Sequence, residues 1–212
     1  MPSKYSCFIS YRHPEYPINQ RIVKELYEGL CAELEMFTNK PVYIDTNGLT
    51  GGHMYNEKLS LDLFNSVCLI VIYTPTYFSL DHTYCAREFK AMEELETCRL
   101  DMLSDPTEKT NGLIIPIVFR GFDRIPNHIK SKRYCYDFSS FLGGDEILYQ
   151  HHKFAPEIKS IAQYIADRCN IFDQISPDPW EDKGVEFTLP LEGIIKPWIE
   201  SMIPLPLKLP GR

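Results

Sequence analysis

"VCLIVIYT" (residues 67–74) is the stretch on which the reading of the whole chain turns. A strand with one solvated face alternates apolar and polar residues. This one is apolar at nearly every position, the pattern of a strand covered by helices on both sides at the centre of a parallel sheet. Parallel neighbours need crossover helices, so the flanks should supply strand–helix units, and they do. Upstream, "KYSCFISY" (4–11) reads as a buried strand, and "INQRIVKELYEGLCAELEMF" (18–37) sets Ile22, Val23, Leu26, Leu30, Leu34 and Phe37 at helical spacing. "PVYID" (41–45) reads as a second strand and "MYNEKLSLDLFNS" (54–66) as a second helix. Downstream come a helix over about 82–100, a strand at "LIIPIVF" (113–119), a short strand at "RYCYDF" (133–138) and a closing helix at "PEIKSIAQYIADRC" (156–169), with Pro156 suited to its start. Pro116 cannot donate to a ladder, so a bulge or a place nearer the sheet edge is expected there. Five strands alternating with helices predict a small doubly wound α/β sheet.

Beyond Asn170 the texture changes. Seven of the 16 prolines and both tryptophans, Trp180 and Trp198, fall in 171–212. This suggests a domain over 1–170 followed by a Pro-rich extension packed on it by aromatic anchors, with a short helix around 191–202, or else a tail that docks a partner. A net charge of −7 and a pI near 5.4 argue against a nucleic-acid face. The small basic knot of Lys130, Lys132 and Arg133 reads as solvated surface. Seven cysteines, an odd number set mostly in apolar segments, fit free thiols in a reducing cytoplasm. No run approaches the roughly 20 apolar residues of a bilayer span, and no leader pattern opens the chain. A cytoplasmic protein acting without a membrane is the expectation.

"YFSLDHTYCAREF" (77–89) holds the residue that asks for an explanation. On a helix, Glu88 neighbours Tyr84, Cys85, Ala91, Met92 and Leu95, all apolar or aromatic, and it is the one acid of its helix expected to face the sheet. An unpartnered buried carboxylate costs several kcal/mol or has its pKa forced upward. Two explanations stay open: an ion pair with Arg12 or Arg87, or a catalytic or ligand-binding acid beyond the carboxyl end of a central strand, where open α/β sheets place their ligands. Other signals are weaker. Gly48, Gly51 and Gly52 lack the Lys-Ser/Thr of a phosphate loop and suit a flexible turn or a gating loop. His151 and His152 have no ligands at zinc spacing, so no metal is assigned. Cys85 has no His partner and Ser10 no GxSxG setting.

"CFISYRH" on the first strand, "VYID" before a Gly-containing loop and "YCAREF" opening the third helix, in this order, resemble the Toll/interleukin-1 receptor (TIR) domain, especially its bacterial members, over residues 4–170. The resemblance implies a flavodoxin-like five-stranded parallel sheet. Where a Glu stands at the position of Glu88, it also implies cleavage of the nicotinamide–ribose bond of NAD+, which is substrate rather than cofactor. By position, Glu88 is the catalytic acid and Tyr84 walls the ribose. Ser10, Tyr11 and Arg12 border the substrate, and Asp45 to Tyr55 is a mobile loop at the site and between protomers. The product would be ADP-ribose or a cyclic ADP-ribose isomer. The chain is similar to stand-alone signal-making TIR proteins of Thoeris-type antiphage systems, whose product is sensed by a separate effector protein. Self-association through TIR surfaces is implied as well. Two alternatives stand: a TIR effector that depletes NAD+ on assembly with a partner, or a non-enzymatic TIR–TIR interaction module.

Overall fold

The computed structural model describes residues 3–45, 53–142, 147–175 and 186–202, with the side chains of 53–55 and of 142 outside that description. In chain order the elements are β1 (Tyr5–Tyr11), α1 (Pro17–Glu35), β2 (Val42–Ile44), α2 (His53–Phe64), β3 (Ser66–Tyr73), α3 (Tyr84–Asp101), α4 (Pro106–Lys109), β4 (Ile114–Val118), α5 (Asn127–Lys130), β5 (Tyr136–Asp137), α6 (Phe154–Asp173) and α7 (Glu192–Met202). The five strands pair in parallel in the order β2-β1-β3-β4-β5, the flavodoxin-like doubly wound arrangement. Helix α1 packs with α6, and α2 with α3. Every residue of β3 is buried, and each large aliphatic side chain there contributes roughly 1.5–3 kcal/mol by leaving water. That uniform burial is why its sequence carries no alternation.

Pro116 sits in β4 without a bulge, since the register from Leu69↔Ile114 to Tyr73↔Val118 is unbroken. Leu113 O accepts from Leu69 N–H and Phe119 N–H donates to Tyr73 O, so the odd-numbered residues of this segment turn their backbone groups to β3. Pro116 therefore faces the other way, toward β5, whose pairing begins only opposite Ile117. The missing N–H falls where the edge strand has not yet started.

Helix α6 runs to Asp173, across the boundary expected at 170/171. The described part of the extension lies on α3. Ile195 and Ile199 of α7 are fully buried against Ala86. The Trp198 ring stands 5.7 Å from Phe78, 6.1 Å from Phe89 and 5.9 Å from His128. Phe187 meets Phe64 at 5.3 Å. Trp180 and Gly48, Gly51 and Gly52 lie outside the described residues. Among the described residues no helix is long and apolar enough to cross a membrane.

Candidate functional site

Beyond their carboxyl ends β1 and β3 part company, because β1 leads through α1 to β2 on one side and β3 through α3 to β4 on the other. The crevice that results is the ligand position of open α/β sheets. Here it is a cleft of about 900 Å³, within the usual range for small-molecule sites. Its lining includes Tyr11 and Arg12 from the end of β1, Asp45 just after β2, Tyr84, Cys85 and Glu88 from α3, and Arg120 after β4. The structure thus brings together five of the seven expected site residues: Tyr11, Arg12, Asp45, Tyr84 and Glu88. Ser10 is 1% exposed and stands behind them, bonded to Glu88. The side chain of Tyr55 lies outside the described residues.

Glu88 is 7% exposed. Its Oε2 accepts a hydrogen bond of 2.5 Å from Ser10 Oγ, which is itself 2.6 Å from the hydroxyl of Tyr77. With Ser10 donating to the carboxylate, its oxygen is left to accept from Tyr77. Among the described residues no Lys, Arg or His nitrogen lies within 4.0 Å of Glu88. The ion pair weighed above is therefore not formed: Arg87 Nε donates to Pro190 O at 2.7 Å and its guanidinium lies 5.0 Å from the Tyr84 ring, while Arg12 lines the cleft. Burial pushes the Glu88 pKa up from 4.5 to about 8; the Ser10 hydrogen bond opposes this, the Asp45 charge adds to it and the Arg87 charge opposes it more weakly. Such a displaced carboxyl group in a cleft is a mark of functional sites.

The surroundings hold Glu88 in this state. Burial raises the Tyr11 pKa to about 12, with help from Asp45 and Glu88, so its hydroxyl stays a donor; it bonds Asp45 O at 2.9 Å. His13 approaches Asp45 at 3.8 Å, and its ring lies tilted against Tyr11 at 4.7 Å. Burial, then the Glu88 charge, lift the Cys85 thiol well above its ordinary range, so it is a poor nucleophile. Arg12 and the exposed Arg120 bring positive charge to the same cleft whose interior holds the carboxyl group.

Glu88 is not the one buried acid of α3. Glu96 is equally buried, with Arg133 bound bidentately at 2.8 and 2.7 Å and the Leu113 and Ile114 amides donating to Oε1. Its neighbours along the helix gave no sign of this, because its partners come from other elements. Tyr77 and Arg120 were also missed. Both follow strands, where sequence spacing says little about direction, although a Tyr just past the central strand is a signal in hindsight.

No protein-family model matches the chain, and no curated protein matches it. Among solved structures it is similar to the TIR domains of the activated Roq1 resistosome, which directly recognises the pathogen effector XopQ. The identity is 17%, the coverage 86% of this chain and 95% of that one, and the TM-score 0.35. At that score and identity the likeness adds no weight to any residue of the cleft.

Proposed function

We propose that this chain is a TIR-type enzyme that cleaves the nicotinamide–ribose bond of NAD+, with Glu88 as the catalytic carboxylate. The observation that carries the reading is that Glu88 lies buried in the strand-end cleft, held by a hydroxyl and neutralised by no cation among the described residues. The motifs "CFISYRH", "VYID" and "YCAREF" support it independently.

The chemistry suits one acid. O-glycoside hydrolysis usually uses two carboxyl groups because the leaving oxygen must be protonated. Nicotinamide departs from a cationic pyridinium: the C1′–N bond breaks, its electron pair returns to the ring nitrogen, and the leaving group is neutral. A positive ribosyl centre remains, and a buried, preorganised carboxylate at the base of the cleft stabilises it. A bound pyridinium favours the ionised form of Glu88, so substrate binding drives off the proton that burial retains. When the cation is discharged, the raised pKa returns and Glu88 can take the proton from the attacking nucleophile. With water the balance is NAD+ plus water giving nicotinamide, ADP-ribose and a proton. With an atom of the same molecule as nucleophile, the product is a cyclic isomer. Arg12 and Arg120 suit the diphosphate of such a substrate.

An activity of this kind fits a nucleotide signal in bacterial antiphage immunity, read by a separate effector protein, with self-association of the TIR domain completing the site. Mass spectrometry after incubation with NAD+, at high protein concentration and with lysate from phage-infected cells, tests the reading. Nicotinamide together with ADP-ribose or an isomer of it is expected. Unchanged NAD+ under every condition would leave the chain as a non-enzymatic TIR interaction module.

A further inference from the structure

The extension beyond α6 lies outside the TIR resemblance, and its helix touches the surroundings of Glu88 by two routes. The first is aromatic. Trp198 meets Phe78 edge-on at 5.7 Å, Phe78 meets Tyr77 edge-on at 4.9 Å, and Tyr77 bonds Ser10, which bonds Glu88. The second is polar: Pro190 O, just before α7, accepts from Arg87, whose guanidinium lies against Tyr84 on the cleft wall.

Phe78 and Tyr77 sit on the segment between β3 and α3, where the chain has no ladder to fix it and Thr83 gives α3 no side-chain cap. A turn bond from Tyr77 N–H to Thr74 O at 2.9 Å and the contacts of Phe78 with Phe89 at 5.4 Å and Tyr73 at 6.2 Å help to place Tyr77, and α7 closes the remaining side of Phe78. Tyr77 is fully buried, so its hydroxyl has no solvent to turn to once Ser10 is lost. Edge-to-face aromatic contacts are directional, and Trp198 is seated by Ile195 and Ile199 on the same helix.

We propose that Trp198 and Tyr77 are positioning residues: α7 fixes the 74–83 segment through Phe78, and Tyr77 on that segment fixes the Ser10 hydroxyl that orients the Glu88 carboxylate. The inference rests on the reading of Glu88 as the catalytic carboxylate and gives the extension its role, as a brace built into the site.

The test compares Trp198→Leu, which stays apolar but loses the ring, with Trp198→Phe and Tyr77→Phe in the full chain. Trp198→Leu and Tyr77→Phe should each lower kcat for nicotinamide release roughly tenfold with KM within about twofold. Trp198→Phe should restore kcat, and the double variant Tyr77→Phe/Trp198→Leu should be no worse than Tyr77→Phe, since both act through one chain of contacts. In the unliganded protein, the 13C carboxyl signal of Glu88, assigned by its loss in Glu88→Gln, should titrate at higher pH in Trp198→Leu and Tyr77→Phe and at the wild-type midpoint in Trp198→Phe. An unmoved midpoint in Trp198→Leu, or multiplicative losses in the double variant, overturns the inference. Because the titration needs no NAD+, a wild type that releases no nicotinamide defeats the enzymatic reading while the NMR result still decides the brace.

Discussion

Glu88 and Glu96 lie on one helix about two turns apart, and both are 7% exposed, yet they live in opposite electrostatic conditions. Glu96 has a bidentate guanidinium, two backbone amides and a second contact of Arg133 to Glu93 at 3.6 Å. Glu88 has a serine hydroxyl and an open cleft. The first arrangement satisfies a buried charge and leaves it nothing to do. The second leaves a carboxyl group whose ionised form gains no close cation among the described residues, and the proposed role gives it one in a positively charged substrate. Burial alone therefore does not distinguish the two acids; the placement of the cation does. The orientation of Arg87 belongs to the same arrangement, since its bond to Pro190 O turns away the nearest guanidinium in sequence.

Opposite responses to neutralising the two acids would sharpen this contrast. Glu96→Gln leaves the buried Arg133 with Glu93 at 3.6 Å as its remaining carboxylate and should destabilise the fold by about 2–3 kcal/mol in denaturant titrations, with nicotinamide release per folded molecule unchanged. Glu88→Gln should do the reverse. Its carboxyl group titrates near 8 in the fold against 4.5 ordinarily, so between those values the folded state keeps a proton that the unfolded chain has lost. Stability then falls as pH rises from about 4.5 to about 8 and levels off above. The uncharged Gln escapes that loss, so the variant should match wild type at pH 4 and exceed it by up to roughly 5 kcal/mol at pH 9. A variant less stable than wild type at pH 9 would break the contrast.

A smaller effect concerns the rate. If the ionised form of Glu88 in the free protein is the active one, kcat/KM for nicotinamide release should rise about tenfold per pH unit well below 8 and flatten above it, roughly fiftyfold between pH 6 and 8. The kcat profile should turn at lower pH, because the bound pyridinium favours the carboxylate. A flat kcat/KM over this range would remove Glu88 from the rate law. Smallest is Gly112→Ala, whose new methyl carbon would stand 2.9 Å from Glu96 Oε1 and 3.3 Å from Arg133 Nη1. Pushing the pair aside should cost about 1 kcal/mol of stability, seen as a lowered Tm, without touching turnover.

The strand reading of "VCLIVIYT" succeeded because a strand buried on both faces writes its burial into every position. The apolar ring around Glu88 was legible for a similar reason, since its nearest neighbours lie on its own helix. What stayed hidden depends on contacts between distant elements. Glu96 takes its partners from Leu113, Ile114 and Arg133. Arg99, on a helix in an unremarkable position, is buried with its guanidinium on Phe64 O and Ser66 O at 2.6 Å, closing the end of α2. Tyr77 reaches Ser10 only because β1 and β3 are neighbours. The fifth strand shrank to Tyr136–Asp137, as Arg133, expected in that strand, instead serves the Glu96 pair.

The most direct test of the account is nicotinamide release from NAD+ by wild type and Glu88→Gln side by side, under conditions in which the wild type is active and both are folded by circular dichroism. The account predicts release by the wild type and a loss of at least about a hundredfold in the variant, with KM little changed. Equal release by the two would show that the buried carboxylate of Glu88 is not what breaks the bond.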